Sequence, residues 1–304
     1  MDNIKDQLSW LEFELQSKKA SRPIKKISEF NRLIAHSNNF FLISGYGAFT
    51  EGYVLIVTKD FIPSYGLVEK SKINEVSFLI KLIKQFIKKK YKRNTVVFEH
   101  GMCACIGGLD RAHLHLMSIS EKITNKQIKE FINKVLYNRK AGIEYIKYNN
   151  YKLENFHDIN QIYENQIKKN DQKIKIVGKI YNLEDIQNLS VKGWPLNTLK
   201  HINKGGHYVY FDSGHANSSF LTTNNFQTQF GREVVFEIEK KTNNKFSKLV
   251  EKIGKKNPSI EVWRWQNQMF ENQIVSTIND AREEFQILKK DYKEEFSKFN
   301  FQII

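Results

Sequence analysis

The chain has 304 residues, 40% of them hydrophobic and 13% aromatic, enough to bury a substantial core, which excludes a disordered chain and a disulfide-stapled miniprotein. Forty-eight basic residues against 33 acidic ones give a formal charge of +15, but only 8 of the basic residues are Arg. This lysine excess, with its abundant Asn and Ile, is the composition of an AT-rich coding sequence. Lysine also lacks the planar fork with which Arg grips phosphate and base edges, so nucleic acid is a possible partner and not the favoured one.

With 4 Pro and 15 Gly there is no low-complexity linker, and no repeat at solenoid period is present. No apolar run approaches the roughly 18 to 20 residues of a membrane span, and the N-terminus lacks the pattern of a signal peptide. A cytoplasmic protein with no membrane partner is expected. Cys103 and Cys105 stand one residue apart, too close for an ordinary bridge and too few for a zinc site, which fits a reducing compartment.

In chain order, a helix is expected over about residues 5 to 18, with Leu8, Leu11 and Leu15 on its apolar side. Two β-rich runs, Phe40 to Ser44 and Tyr53 to Thr58, flank Gly45, Gly47 and Gly52 and read as an antiparallel hairpin with a long loop. Ser71 is placed to cap a helix carrying Val76, Leu79, Ile80, Ile83 and Ile87 at the 3.6-residue period, with a lysine-rich end suited to a helix C-terminus. A strand from Thr95 to Glu99, a glycine-containing loop and a second strand from Ala112 to Ser120 follow. Thr124 then begins a helix that buries Ile128, Phe131, Ile132 and Val135.

Further on, Gly206 to Asp212 reads as a strand and Gln227 to Glu233 as the opening of a helix that continues through Val235 and Phe236. Trp263 and Trp265 are expected on one face of a strand or across a turn, as packing residues. Ile274, Ile278, Ala281, Phe285 and Leu288 mark a long amphipathic helix that closes the domain and could serve a homodimer. Strands and helices alternate without a regular βαβ rhythm, so the expected class is α+β with an antiparallel sheet.

The chemistry concentrates between Gly107 and Met117. Strand alternation sends Ala112, Leu114 and Leu116 to one face and Arg111, His113, His115 and Met117 to the other. A cation and two imidazoles thus stand in a row at about 6.5 to 7 Å spacing. A neutral imidazole is a competent nucleophile toward phosphorus near pH 7, and a neighbouring cation stabilises the charge that develops on the oxygens. The amides of Gly107 and Gly108 are suited to approach an anion closely. The same pair also fits a metal-ligand pair or two satisfied, half-buried histidines. His207 and His215, with Asp212 between them, match no standard ligand spacing, so no metal site is expected there.

The order Asn39-Phe40, Gly52-Tyr-Val-Leu-Ile-Val-Thr58, Phe98-Glu-His-Gly101 and Asp110-Arg-Ala-His-Leu-His115 resembles the histidine-triad family in its larger bacterial branch, over about eighty residues. Tyr208-Val-Tyr210, Thr228-Gln-Phe-Gly-Arg232 and Trp263-Arg-Trp-Gln266 extend the likeness, more weakly, into the C-terminal half. The resemblance implies a five-stranded antiparallel sheet with flanking helices, a C-terminal α+β extension packed on it, and a division into an N-terminal helical segment (1–36), a nucleotide-binding core (37–140) and the extension (141–304).

It also implies a nucleotide hydrolase or nucleotidyltransferase that acts at an α-phosphate, cleaving an anhydride or a phosphoramidate without cofactor or metal. The substrate would be a nucleotide or a dinucleoside polyphosphate. Carried over by position, His113 is the nucleophile that becomes nucleotidylated, and His115 contacts phosphate oxygens or the leaving group. Arg111 stands where the first histidine would be. It can hold a phosphate but cannot accept a hydrogen bond or relay a proton. Asn39, Glu99 and His100 would meet the nucleoside or ribose, with Phe40, Phe41 and Ile56 as base contacts. Gln229 and Arg232, at a helix N-terminus, would hold a distal phosphate. Two other functions remain open: a deadenylase of nucleic-acid ends, as aprataxin-like members are, and a nucleotide sensor without catalysis.

Overall fold

The computed structural model describes residues 32–60, 62, 65, 68–101, 111–138, 181–182, 207–213, 217–222, 229–254, 258–263 and 269–304. The helix expected near residues 5 to 18, both cysteines, Gly107, Gly108, His215 and Trp265 lie outside them.

The runs of Val, Ile, Leu and Phe form strands β1 (Leu33–His36), β2 (Phe40–Ser44), β3 (Val54–Thr58), β4 (Asn94–Gly101) and β5 (His113–Ile119). Later segments supply β6 (Tyr181–Asn182), β7 (His207–Asp212), β8 (Asn217–Thr222) and β9 (Gln302–Ile303). All pair antiparallel in one sheet of order β6-β8-β7-β4-β5-β3-β2-β1-β9. The α+β class is as expected, but among the described residues the sheet has nine strands instead of five, two of them only two residues long. The reason is edge pairing. The β7-β8 hairpin adds to β4 through pairs such as Glu99 with Tyr210, and β9 adds to β1, so ladders that a five-stranded sheet would leave open are hydrogen-bonded.

Helix α1 (Ile73–Tyr91) lies against β3, β4 and β5. It buries not only the predicted Val76, Leu79, Ile80, Ile83 and Ile87 but also Phe78, Leu82 and Phe86. The wider apolar arc follows from a second partner, α6 (Glu271–Leu288), whose Phe285 meets Phe86 edge-on at 5.8 Å between ring centres. The predicted cap is absent: Lys72 holds the N-cap position after a 3-10 turn, Lys70–Lys72, and the Ser71 hydroxyl donates to Glu69. On the opposite face stand α3 (Phe230–Thr242), α2 (Asn125–Asn138) and α4 (Asn244–Ile253). Helix α2 starts where predicted, because the Thr124 hydroxyl accepts from Gln127 N and the Gln127 side chain accepts from Thr124 N, a reciprocal capping box. Trp263 ends a short helix, α5 (Pro258–Trp263), and not a strand or turn. A last short helix, α7 (Lys293–Lys298), precedes β9.

Burial on both faces leaves β2 to β5 almost wholly inside, so the alternation that separates a wet from a dry face is muted. One contact fixes how closely α3 approaches the sheet. A Cβ on Gly231 would lie 2.1 Å from the Phe98 ring, so α3 can sit at this depth only with glycine there. Gly231→Ala is expected to destabilise the fold by about 1 to 3 kcal/mol through overpacking, read from the shift of the urea midpoint.

Candidate active site

Strand register gathers the imidazoles. In β5, His115 stands opposite Leu55 of β3 and Phe98 of β4, and His113 stands opposite Val57, so these side chains share the sheet face that carries α3. His100 is two residues beyond Phe98 and shares that face by strand alternation. The His113 and His115 rings meet edge to face at 4.8 Å between centres, and the His100 ring is 6.5 Å from that of His115. Phe98 lies flat against His115 at 4.6 Å with 5° between planes, so the ring that α3 presses through Gly231 is the floor on which His115 rests.

Hydrogen bonds set the roles of the two ring pairs. His113 Nδ1 is 3.0 Å from the carbonyl oxygen of Arg111. A carbonyl only accepts, so Nδ1 carries the proton and Nε2 carries the lone pair. His113 is half-buried, and its pKa is pushed down to about 4, chiefly by burial and further by the Arg232 guanidinium, against the opposing Arg111 hydrogen bond. At neutral pH the ring is uncharged and nucleophilic.

His115 Nδ1 is 2.7 Å from the hydroxyl of Tyr53, which is itself 2.7 Å from Nη2 of Arg232. The guanidinium can only donate, so Tyr53 accepts from it and gives its one proton to His115 Nδ1. His115 is therefore held as the tautomer with hydrogen on Nε2. Burial, then the neighbouring His113, Arg232 and His100, drive its pKa well below the usual imidazole value. The Tyr53 pKa is raised by burial, which Arg232 partly offsets, so the phenol keeps its proton.

The remaining predicted residues divide. Arg111 is buried, immediately before β5, and its carbonyl rather than its guanidinium is what holds His113. His100 joins the cluster through the start of α3: the N–H groups of Gln229 and Gly231 each point at a ring nitrogen at 3.3 Å. Gln229 adopts a left-handed conformation, φ +77°, to begin the helix there. Those amides thus lie against a histidine inside the protein, one nitrogen of which accepts. Arg232 likewise donates from Nη2 to Tyr53, so Gln229 and Arg232 both have partners inside the protein beside the histidines. Gly107 and Gly108 lie outside the described residues.

Glu99 and Asn39 are not brought to the histidines. Glu99 is one residue out of phase with Phe98 and His100, so it projects to the other face, where its carboxylate, 1% exposed, accepts from Tyr65 N at 2.7 Å. Asn39 is bound twice by the buried Glu75, through its backbone N at 2.9 Å and its side-chain amide at 2.6 Å. Of the expected base contacts, Phe40 and Ile56 share Glu99's face, with Phe40 stacked on Tyr65. Phe41, opposite Val57, is on the histidine face.

Two residues that the motif reading passed over prove central, Tyr53 and Phe98. A signal for Tyr53 was present in Gly45, where a Cβ would come within 2.1 Å of the Tyr53 ring: the glycine makes room for the phenol.

Among the described residues no group of three or more His, Cys, Asp or Glu side chains is placed to hold a metal ion, and no helix is long and apolar enough to cross a membrane. The arrangement holds a lone-pair nitrogen on His113, an imidazole N–H on His115 and the Arg232 guanidinium bonded to Tyr53. The chain matches no known protein-family model, and it matches no curated protein.

Proposed function

We propose that the protein transfers a nucleotidyl group through His113, in the manner of the histidine-triad family that its sequence resembles. The observation that carries this reading is the bond from His113 Nδ1 to the Arg111 carbonyl, which leaves Nε2 as a lone pair on a half-buried, uncharged ring. Nε2 attacks the α-phosphorus of a nucleotide substrate, the P–O or P–N bond to the remainder breaks, and a phosphoimidazolium forms. The Arg111 carbonyl receives the Nδ1–H of that ring as it becomes cationic. Water or a second phosphate then attacks phosphorus and returns the electron pair to Nε2. The His115 ring, 4.8 Å from that of His113 between centres, supplies an Nε2–H to stabilise the non-bridging oxygens.

The test is intact-protein mass spectrometry at neutral pH after mixing with dinucleoside polyphosphates, nucleoside phosphoramidates and aminoacyl adenylates. A nucleotidyl adduct mapped to His113 is the expected result. Nucleotide binding without any adduct across that panel would replace the proposal with a non-catalytic sensor.

A further inference from the structure

We infer that a basic pocket on the sheet face away from the histidines is a second binding site, which takes a small phosphate-bearing anion. The inference goes beyond nucleotidyl transfer and does not depend on it. The pocket, about 460 Å³, lies between one side of α1 and the start of β4, with Ser213, just after β7, also in its wall. Thr95 of the pocket and His100 of the histidine cluster are five residues apart on β4, roughly 17 Å along the strand.

The sequence brings four cations to this cavity. Lys81, Lys84 and Lys88 recur at intervals of three and four residues and so form one line along α1, beside its apolar arc. The helix ends at Tyr91, and Lys92 turns the chain through a left-handed conformation, φ +53°, which brings Arg93 to the same pocket. Among the described residues no carboxylate lines it.

A lysine-rich chain places many lysines on exposed helix faces, where each extends into water alone. This group differs because its partners stand outside the cavity that it borders. Lys84 lies 3.6 Å from Asp212, Lys88 2.5 Å from Glu121, and Lys81 4.7 Å from the centre of the Tyr292 ring. Arg93 donates from Nε to the Ser118 hydroxyl at 3.0 Å and from Nη2 to Glu239. These contacts hold the cations about the pocket without filling it.

A buried hydroxyl is the second, independent sign. Thr95 shares the α1 face of its strand with Val97 and Glu99, lines the pocket and is 7% exposed, yet its Oγ1 makes no hydrogen bond among the described residues. Buried polar groups are ordinarily paired, and a hydroxyl donates readily to an anionic oxygen. Several cations around one cavity exceed what a single carboxylate neutralises. A phosphate group carries more charge and offers acceptor oxygens to ammonium, guanidinium and hydroxyl donors together. The cavity is of a size that holds a small ligand, and it is closed off between helix and sheet, which suits a compact molecule better than a continuous strand.

The experiment uses the full chain and inorganic pyrophosphate as the probe, at about 0.1 M salt, where loose surface attraction is screened. Saturable binding is expected by calorimetry. Trace acetylation followed by mass spectrometry should show Lys81, Lys84 and Lys88 protected by pyrophosphate and the exposed Lys290 not. Lys81→Gln and Lys88→Gln should each weaken binding roughly five- to tenfold. Thr95→Val should weaken it roughly threefold or more while leaving the urea midpoint of the free protein unchanged or raised, because an unpaired hydroxyl has been removed. A threonine of purely structural use would lose stability and leave binding alone. No saturable binding, or binding that the three variants leave unchanged and that protects none of the three lysines, would overturn the inference. The second of these results would place the anion elsewhere on the protein. Binding of single-stranded oligonucleotides that tightens with their length and is not displaced by pyrophosphate would overturn it in favour of a nucleic-acid surface. Should Thr95→Val fail to fold, the two exposed lysine variants and the acetylation pattern decide.

Discussion

Replacing His113 by alanine is expected to lower nucleotidyl transfer by about a thousandfold or more, because removal of a covalent nucleophile leaves only binding and oxyanion stabilisation. The loss should appear in kcat, with substrate affinity little changed, since the donors proposed to face the phosphate remain. The accompanying signature is the pH profile of the wild-type protein. The proposed attack needs His113 uncharged, and burial together with Arg232 has lowered its pKa to about 4. The acid limb of kcat/KM should therefore fall near pH 4, not near the 6.5 of an ordinary histidine. A limb near 6.5 would mean that the ring is solvated and the site is not the one described.

Acid should also unfold this protein earlier than its core size suggests. In the unfolded chain His113 and His115 titrate near 6.5, whereas in the fold the first is pushed to about 4 and the second well below its usual value. Between those limits the unfolded state binds protons that the folded state does not, so stability rises with pH and is lost as pH falls from about 6.5 toward 4. His113 alone accounts for about 3 kcal/mol of that loss, taken as an upper bound because the ring is half-buried. Comparing urea midpoints at pH 7.5 and 4.5 checks it. The difference should shrink in His113→Gln, which keeps the ring's approximate bulk without its titration, and equal differences in the two proteins would contradict the assigned burial.

The two effects share one cause. A buried neutral imidazole is a reactive nucleophile at pH 7 and, for the same reason, a liability in acid. The surrounding apolar packing, with Phe98 flat on His115 and α3 held close by Gly231, is what keeps the rings neutral.

Where local pattern was strong the sequence was legible. The hairpin of Phe40 to Ser44 with Val54 to Thr58, the helix under Val76 to Ile87, the helix start at Thr124 and the long helix ending at Leu288 all follow from two- or 3.6-residue periodicity and turn chemistry within a few residues. Strands β8 and β9 carry no comparable local signal and exist because an edge strand was available to pair with. Within the candidate site, His113 and His115 could be placed on one face from alternation alone. The same rule, applied to Phe98, Glu99 and His100, would have separated Glu99 from its neighbours.

Contacts between distant segments escaped that kind of reading. Arg232 lies 179 residues from Tyr53, and the Gln229 amide lies 129 residues from His100. No periodicity encodes which donor a phenol or an imidazole will meet. By itself the sequence determined the α+β class, the strand that displays the two histidines and their shared face, because those depend on interactions a few residues apart. Only the tertiary structure decided that Arg232 and Tyr53 govern the proton on His115, that Glu99 faces away and that the sheet grows to nine strands, because each of these is settled by groups the chain brings together only when it folds.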